Sequence, residues 1–125
     1  MAKKKDPLEV AEEHLGKIND EGVVLLRYEI REDGSVLSMW ASLEDDGSLV
    51  VCELTEGPMS DSPDGASQIN TIVRAEHLPQ MFTNLGLPAG TEVLSWVAEN
   101  FNRAASWGLT GRIDQSCVEY EVEFE

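Results

Sequence analysis

The chain has 125 residues, 42% of them hydrophobic and 26% charged, which matches one ordinary globular domain with a single core and argues against wholesale disorder. Its net charge of −15 disfavours binding to nucleic-acid backbones or anionic lipid and favours basic partners; the body is more acidic still, because three of the nine basic residues are Lys3, Lys4 and Lys5. No apolar run approaches the roughly 18 residues needed to cross a bilayer, and acidic sequence follows the lysines where a secretory signal would carry an apolar core, so a cytoplasmic location is expected.

Residues 1–5 read as a flexible basic tail and residues 6–125 as a single domain. Asp6-Pro7-Leu8-Glu9 opens a helix: Asp6 can cap, proline suits the first helical position, and Glu9 stands three residues after the cap. Leu8, Ala11, Leu15 and Ile18 then form one apolar stripe, and the helix is expected to stop between Asn19 and Gly22. From Val23 the period becomes alternating. Val24, Leu26, Tyr28 and Ile30 are assigned to one face, Glu32-Asp33-Gly34-Ser35 to a hairpin turn, and Leu37, Met39, Ala41 and Leu43 to a common face of the next strand. After a second turn at Glu44-Asp45-Asp46-Gly47, a third strand carries Val50, Cys52 and Leu54, which completes an antiparallel meander.

Gly57 to Ser67 is rich in proline, glycine, serine and aspartate and reads as a mobile acidic loop. Ile69 to Ala75 is taken as a fourth strand, although Ile69, Ile72 and Val73 also fit helical spacing. Pro79 to Leu85 is predicted to be a short helix ended by Gly86. A longer helix is predicted from Glu92 to Trp107, capped by Thr91, with Leu94, Val97, Ala98, Phe101 and Ala105 buried and Gly108 closing it. Residues 108–116 read as a loop, and Val118 to Glu125 as a last strand. The fold class that follows is α+β: a mainly antiparallel sheet, a three-stranded meander plus one or two further strands, with an N-terminal helix and a long helix of the C-terminal half packed on it.

The last strand, VEYEVEFE, has the sharpest pattern. Val118, Tyr120, Val122 and Phe124 point one way, and Glu119, Glu121, Glu123 and Glu125 the other, which sets four carboxylates along about 20 Å. A strand with one face on the core and one in water explains the pattern structurally, and Arg27 and Arg31 are then available to pair across to the glutamates if the first and last strands are neighbours. The functional reading joins Glu119, Glu121, Glu123 and Glu125 to Asp45, Asp46, Asp61 and Asp64 as an acidic surface for a basic protein. Trp40, out of phase with Met39 and Ala41, is placed on the polar face with Val36, Ser38 and Ser42, near Arg27, Glu29 and Glu53, where it is either covered by a helix or by the loop Gly57 to Ser67 or left exposed as a contact anchor.

Motifs for catalysis are missing: no G-x-S-x-G turn, no phosphate-cradling glycine loop and no H-E-x-x-H pair. Cys52 and Cys117 with His14 and His77 do not make a tetrahedral metal set, so no metal or cofactor is expected, and the thiols are read as free. The expectation is a non-enzymatic interaction protein that binds a basic partner, possible roles being an inhibitor, an antitoxin or immunity protein, or a nucleic-acid mimic directed at a toxin or nucleic-acid enzyme. The alternatives are a small-molecule-binding or enzymatic domain whose pocket is gated by residues 57–67, and an assembly subunit of a phage or multi-protein complex.

Overall fold

A computed structural model describes residues 11, 13–60, 65–88 and 90–124. Five strands, β1 (Val23–Ile30), β2 (Val36–Leu43), β3 (Leu49–Glu56), β4 (Ala66–Val73) and β5 (Glu121–Phe124), pair in chain order as one antiparallel sheet. Three α-helices, α1 (Leu78–Asn84), α2 (Val93–Asn100) and α3 (Leu109–Gln115), follow β4, and each sends its buried residues into one cluster with Val24, Leu26, Met39, Ala41, Leu49, Val51 and Val73. The α+β class and the antiparallel meander are as expected. None of the described helices is long and apolar enough to cross a membrane.

The first two hairpins use the same device. Arg31-Glu32-Asp33-Gly34-Ser35 and Glu44-Asp45-Asp46-Gly47-Ser48 each fold so that the aspartate carboxylate accepts from the serine backbone N–H, at 2.8 Å in both turns. The glycine takes the left-handed conformation the turn demands, with φ of 87° at Gly34 and 89° at Gly47. Both serines are fully buried and their hydroxyls catch the chain where it leaves a later strand: Ser35 Oγ accepts from Met59 N at 2.8 Å and Ser48 Oγ from Ala75 N at 3.1 Å. Gly57 is equally constrained, because a Cβ there would stand 3.0 Å from Ser35 Cα. Its N–H donates to Gly65 O at 2.7 Å and pinches the base of the loop, which therefore closes before Ser67; Asp61 to Asp64 lie outside the described residues.

The faces of the sheet differ from the sequence reading in two strands. A register shift between Leu25 and Arg27 interrupts β1, so that Arg27 stands opposite Met39 and Glu29 opposite Leu37 on the helix side. Tyr28 and Ile30 consequently turn to the other face instead of continuing the row of Val24 and Leu26. In β3 the buried pair is Leu49 and Val51, opposite Leu43 and Ala41, rather than Val50, Cys52 and Leu54. A two-residue alternation of mostly apolar residues fixes no phase by itself; the turn at Asp46-Gly47 sets it.

The helices also depart from expectation. Residues Asp6 to Val10, where the N-terminal helix was to begin, lie outside the described residues. Ala11, Glu13 and His14 are helical, but Leu15 and Ile18 already bridge to Leu25 and Val24, so the helix ends before Ile18. Gly16 N donates to Leu25 O and Asn19 N to Val23 O, both at 2.9 Å, and this segment covers the outer edge of β1.

The predicted helix of Glu92 to Trp107 is split into α2 and a 3-10 helix, Arg103–Gly108, and the predicted loop after it is mostly α3. Asn100 donates to Trp96 O at 2.9 Å and Asn102 to Ala98 O at 2.7 Å, so two short amides take over carbonyls at the end of α2, and Arg103 adopts φ 56°. Glu92, not Thr91, caps α2 by accepting from Ser95 N at 2.8 Å, and Gly108 is not left-handed, with φ −89°. Ser106 replaces Ala105 as the buried residue of the segment. The segment after the loop is a strand as read, but β4 begins at Ala66 inside the expected loop and ends at Val73, with Ala75 opening a 3-10 helix, Ala75–His77; helix α1, followed by Gly86 at φ 74°, falls within one residue of its expected bounds.

Arg27 is 3% exposed, and its guanidinium lies 3.5 Å from the ring centroid of Trp107. One terminal nitrogen is 3.4 Å from Ser106 Oγ and the other 3.9 Å from Glu53 Oε1, while Nε has no partner. Burial pushes its pKa down and Glu53 and Glu29 oppose the shift. Replacing Arg27 by alanine is expected to cost about 2–3 kcal/mol in urea denaturation, since the 3-10 helix loses its anchor and a space opens against the sheet. Arg27→Met is expected to cost less than Arg27→Ala and Arg27→Lys to recover only part, because lysine lacks the planar fork. Equal losses for all three would refute the anchoring role.

Candidate interaction surface

Two turns at one end of the sheet gather acidic residues around a single arginine. Arg74, just after β4, makes a two-point ion pair with Glu121 at the start of β5: Nε donates to Oε2, and Nη2 to Oε1 at 3.2 Å. Glu121 is held well ionised by this contact, its pKa lowered chiefly by the Arg74 hydrogen bond, while Glu44 and Asp46 of the β2–β3 turn further favour the charged form of Arg74. Asp46 is lowered in turn by its bonds from Ser48. Next along the chain, His77 Nε2 lies 3.5 Å from Glu76 and 3.6 Å from Glu119.

These groups form one continuous surface. Arg74, Glu76, His77, Glu119, Tyr120 and Glu121 line an open cleft of about 380 Å³. Arg74 and Glu76 also line a neighbouring depression of about 330 Å³ with Asp46, Ser48 and Ala75. The acidic β2–β3 turn, where Asp45 is exposed beside Asp46, and Glu119 and Glu121 are thus brought together, while Glu123 stands farther along β5 opposite Asn70. Asp61, Asp64 and Glu125 lie outside the described residues. Arg74 and Glu76 were not singled out from the sequence, and His77 was considered there only as a metal ligand; the signal for all three was their position between a strand and a helix, where the chain must turn over the end of the sheet.

The expected partners of the glutamates are elsewhere. Strands β1 and β5 occupy opposite edges, so Arg27 and Arg31 do not reach them, and Arg31 pairs instead with Glu29 at 3.0 Å. The expectation that the apolar side of the last strand packs on the core is also corrected. Only Val118 is buried; Tyr120, Val122 and Phe124 are 38%, 45% and 77% exposed, and the strand itself is confined to Glu121–Phe124.

Trp40 is 41% exposed and lies on the sheet face opposite α1, α2 and α3. Arg27, Glu29 and Glu53 are not its neighbours in phase, since the shift in β1 and the register of β3 put all three on the helix side. Instead the register aligns Leu25, Trp40, Cys52, Asn70 and Glu123 in one row across the sheet, and Val23, Ser42, Val50, Ile72 and Glu121 in the next. Trp40 therefore shares a face with two of the glutamates, three strand spacings or about 14 Å from Glu123. Beside it a hollow of about 290 Å³ is lined by His14, Lys17, Asn19, Val23, Leu25 and Trp40.

Of the other hollows, one of about 160 Å³ next to the 57–67 loop is lined by Leu54, Ala66, Ser67 and Gln68. A larger, mainly apolar groove of about 680 Å³ follows α1 from Pro79 and Phe82 to Pro88 and Thr91. Among the described residues no group of three or more His, Cys, Asp or Glu is arranged to hold a metal ion, and Cys52 and Cys117 form no disulfide.

The ion pair of Arg74 with Glu121 gives a pH dependence with a definite sign. Glu121 has a folded pKa below its ordinary value of 4.5, so its contribution is fully present above that value and is lost as pH falls through the lower, folded one. Glu121→Gln is expected to lower the melting temperature slightly at pH 7, with the difference shrinking as pH falls below 4.5 and in high salt. A difference that does not shrink as the pH is lowered would assign the effect to something other than this pair.

No protein-family model, curated protein or solved structure matches the chain, so the chemistry of this surface carries the functional reading.

Proposed function

We propose that the protein is a non-enzymatic interaction protein that binds a basic protein partner through the open face and acidic end of its sheet, acting as an inhibitor or as an antitoxin or immunity protein. The observation that carries this reading is the placement of Trp40 and the carboxylates of Glu121 and Glu123 on one sheet face, continuous at its end with Glu119, Glu76 and the Asp45-Asp46 turn. An apolar centre with a charged rim is the usual anatomy of a specific contact. Trp40 supplies a large rigid anchor, with Leu25 and Cys52 beside it in the row. The carboxylates supply steering and partner choice, since a lysine- or arginine-rich surface is drawn to them and an acidic one is refused. A partner that acts on nucleic acid would meet carboxylates where it otherwise meets phosphates.

The test is direct. A protein captured on the immobilised chain from its native host and eluted by salt is purified, and its affinity is measured for the wild type and for Glu119→Gln, Glu121→Gln and Glu123→Gln combined. The triple variant is expected to bind at least about tenfold more weakly at low salt, with a shallower dependence on salt. Trp40→Ala is expected to lose about tenfold with the salt dependence unchanged. Affinity and salt dependence both unchanged in the triple variant would remove the glutamates as the docking site.

A further inference from the structure

The two edges of the sheet are treated differently. At β1 the chain covers its own edge, with Gly16 N bonded to Leu25 O and Asn19 N to Val23 O. At β5 no described strand follows, so alternate backbone N–H and C=O groups of Glu121–Phe124 face outward. Charge alone would explain such an edge as one protected from aggregation. It does not explain the other side of the same strand, where Val122 and Phe124, 45% and 77% exposed, leave apolar surface in water. A merely protected edge gains nothing from an exposed phenylalanine and valine.

We propose that β5 is a docking edge to which the basic partner adds an extended segment as a further strand, with lysine or arginine on the side of Glu121 and Glu123 and apolar side chains on the side of Val122 and Phe124. This rests on the acidic-surface reading above and names its mode of recognition. A strand alternating basic and apolar residues is the one chemistry that satisfies the backbone groups, the carboxylates and the apolar row together. A second copy of this chain satisfies the first and third but sets the glutamates of one β5 against those of the other, which like-charge repulsion opposes. The ion pair to Arg74 fixes Glu121 from below and leaves Glu123, opposite Asn70, exposed to the incoming strand.

The probes are synthetic peptides with blocked ends: one alternating lysine and valine, one with the same residues in two blocks, and two alternating peptides N-methylated on one or the other set of alternate residues. Titration at low salt is expected to show the alternating peptide binding about tenfold more tightly than the blockwise one. Only one of the two methylated peptides should lose binding, because a strand uses one set of its N–H groups toward a single neighbour. The amide signals of Glu121 to Phe124 should exchange more slowly in the complex. Val122→Ser, an uncharged change at an exposed position, should weaken the alternating peptide and leave the blockwise one unaffected. Equal, salt-dependent binding of all four peptides would overturn strand addition and leave the acidic-surface reading standing. No binding by any of them at low salt would overturn both.

Discussion

The register shift between Leu25 and Arg27 decides how the two layers of this fold meet. Up to it, β1 presents Val24 and Leu26 to the helices, both fully buried; beyond it the chain turns Arg27 to the same side and Tyr28 and Ile30 to the other. A bulge allows two successive residues to face one way, which regular pleating forbids. The layer that would otherwise close over a tyrosine instead closes over a guanidinium, and Trp107 with Ser106 lies across it. A methionine there would fill space with less desolvation. The arginine adds direction, because its plane stacks on one ring while its ends meet Ser106 and Glu53, and this orients the 3-10 helix that α2 hands on to α3. With that helix placed, Leu109 and Ile113 of α3 enter the core at full burial.

The repeated Asp-Gly-Ser turns do for the sheet what Arg27 does for the layers. Each serine closes its own turn through its backbone and then binds a segment well ahead in sequence, Met59 in one case and Ala75 in the other. The second contact bears on function. By holding Ala75 against Ser48, it brings Arg74 and Glu76 to the β2–β3 turn, so that carboxylates of widely separated parts of the chain share one arginine. The acidic end is therefore a product of hairpin geometry and not only of composition.

Much of this was legible in the sequence, and the gaps have physical causes. The Asp-Gly turns, the alternation of β2 and the Pro79 and Gly86 boundaries of α1 are local signals, and local signals suffice where a turn type or a cap fixes the backbone. The phase of β1 after Leu25 was not legible, since a bulge satisfies a tertiary contact, here Arg27 with Trp107, that no neighbouring residue announces. Nor was the break of the long helix. Its apolar stripe through Leu94, Val97, Ala98 and Phe101 is genuine, but the amides of Asn100 and Asn102 turn back on the carbonyls of Trp96 and Ala98 and end it. For the last strand the alternation was correct over Glu121 to Phe124 and the inference from it was not: period two says that two sides differ, and it does not say that either side is covered. Of the proposed site, Glu119, Glu121, Asp45 and Asp46 were identifiable by charge. Their assembly around Arg74 and His77 was not, because it depends on strand order.

Charge selected for solubility and charge selected for binding are usually treated as rivals, and at β5 they are the same groups. An edge with exposed Val122 and Phe124 is a template for its own copies unless something repels them. Glu121 and Glu123, alternating with those residues on the opposite side of the strand, supply that repulsion only toward a copy or another acidic chain; toward a lysine-bearing strand the same field is attractive. The range of the effect is set by screening, about 8–10 Å at ordinary ionic strength, comparable to the separation of the glutamates from the neighbouring strands and far shorter than the molecule. The selectivity is therefore local: it belongs to the edge and to the rim of the open face, where apolar surface is exposed, and the overall acidity of the chain lowers the background of wrong partners against which that local choice is made.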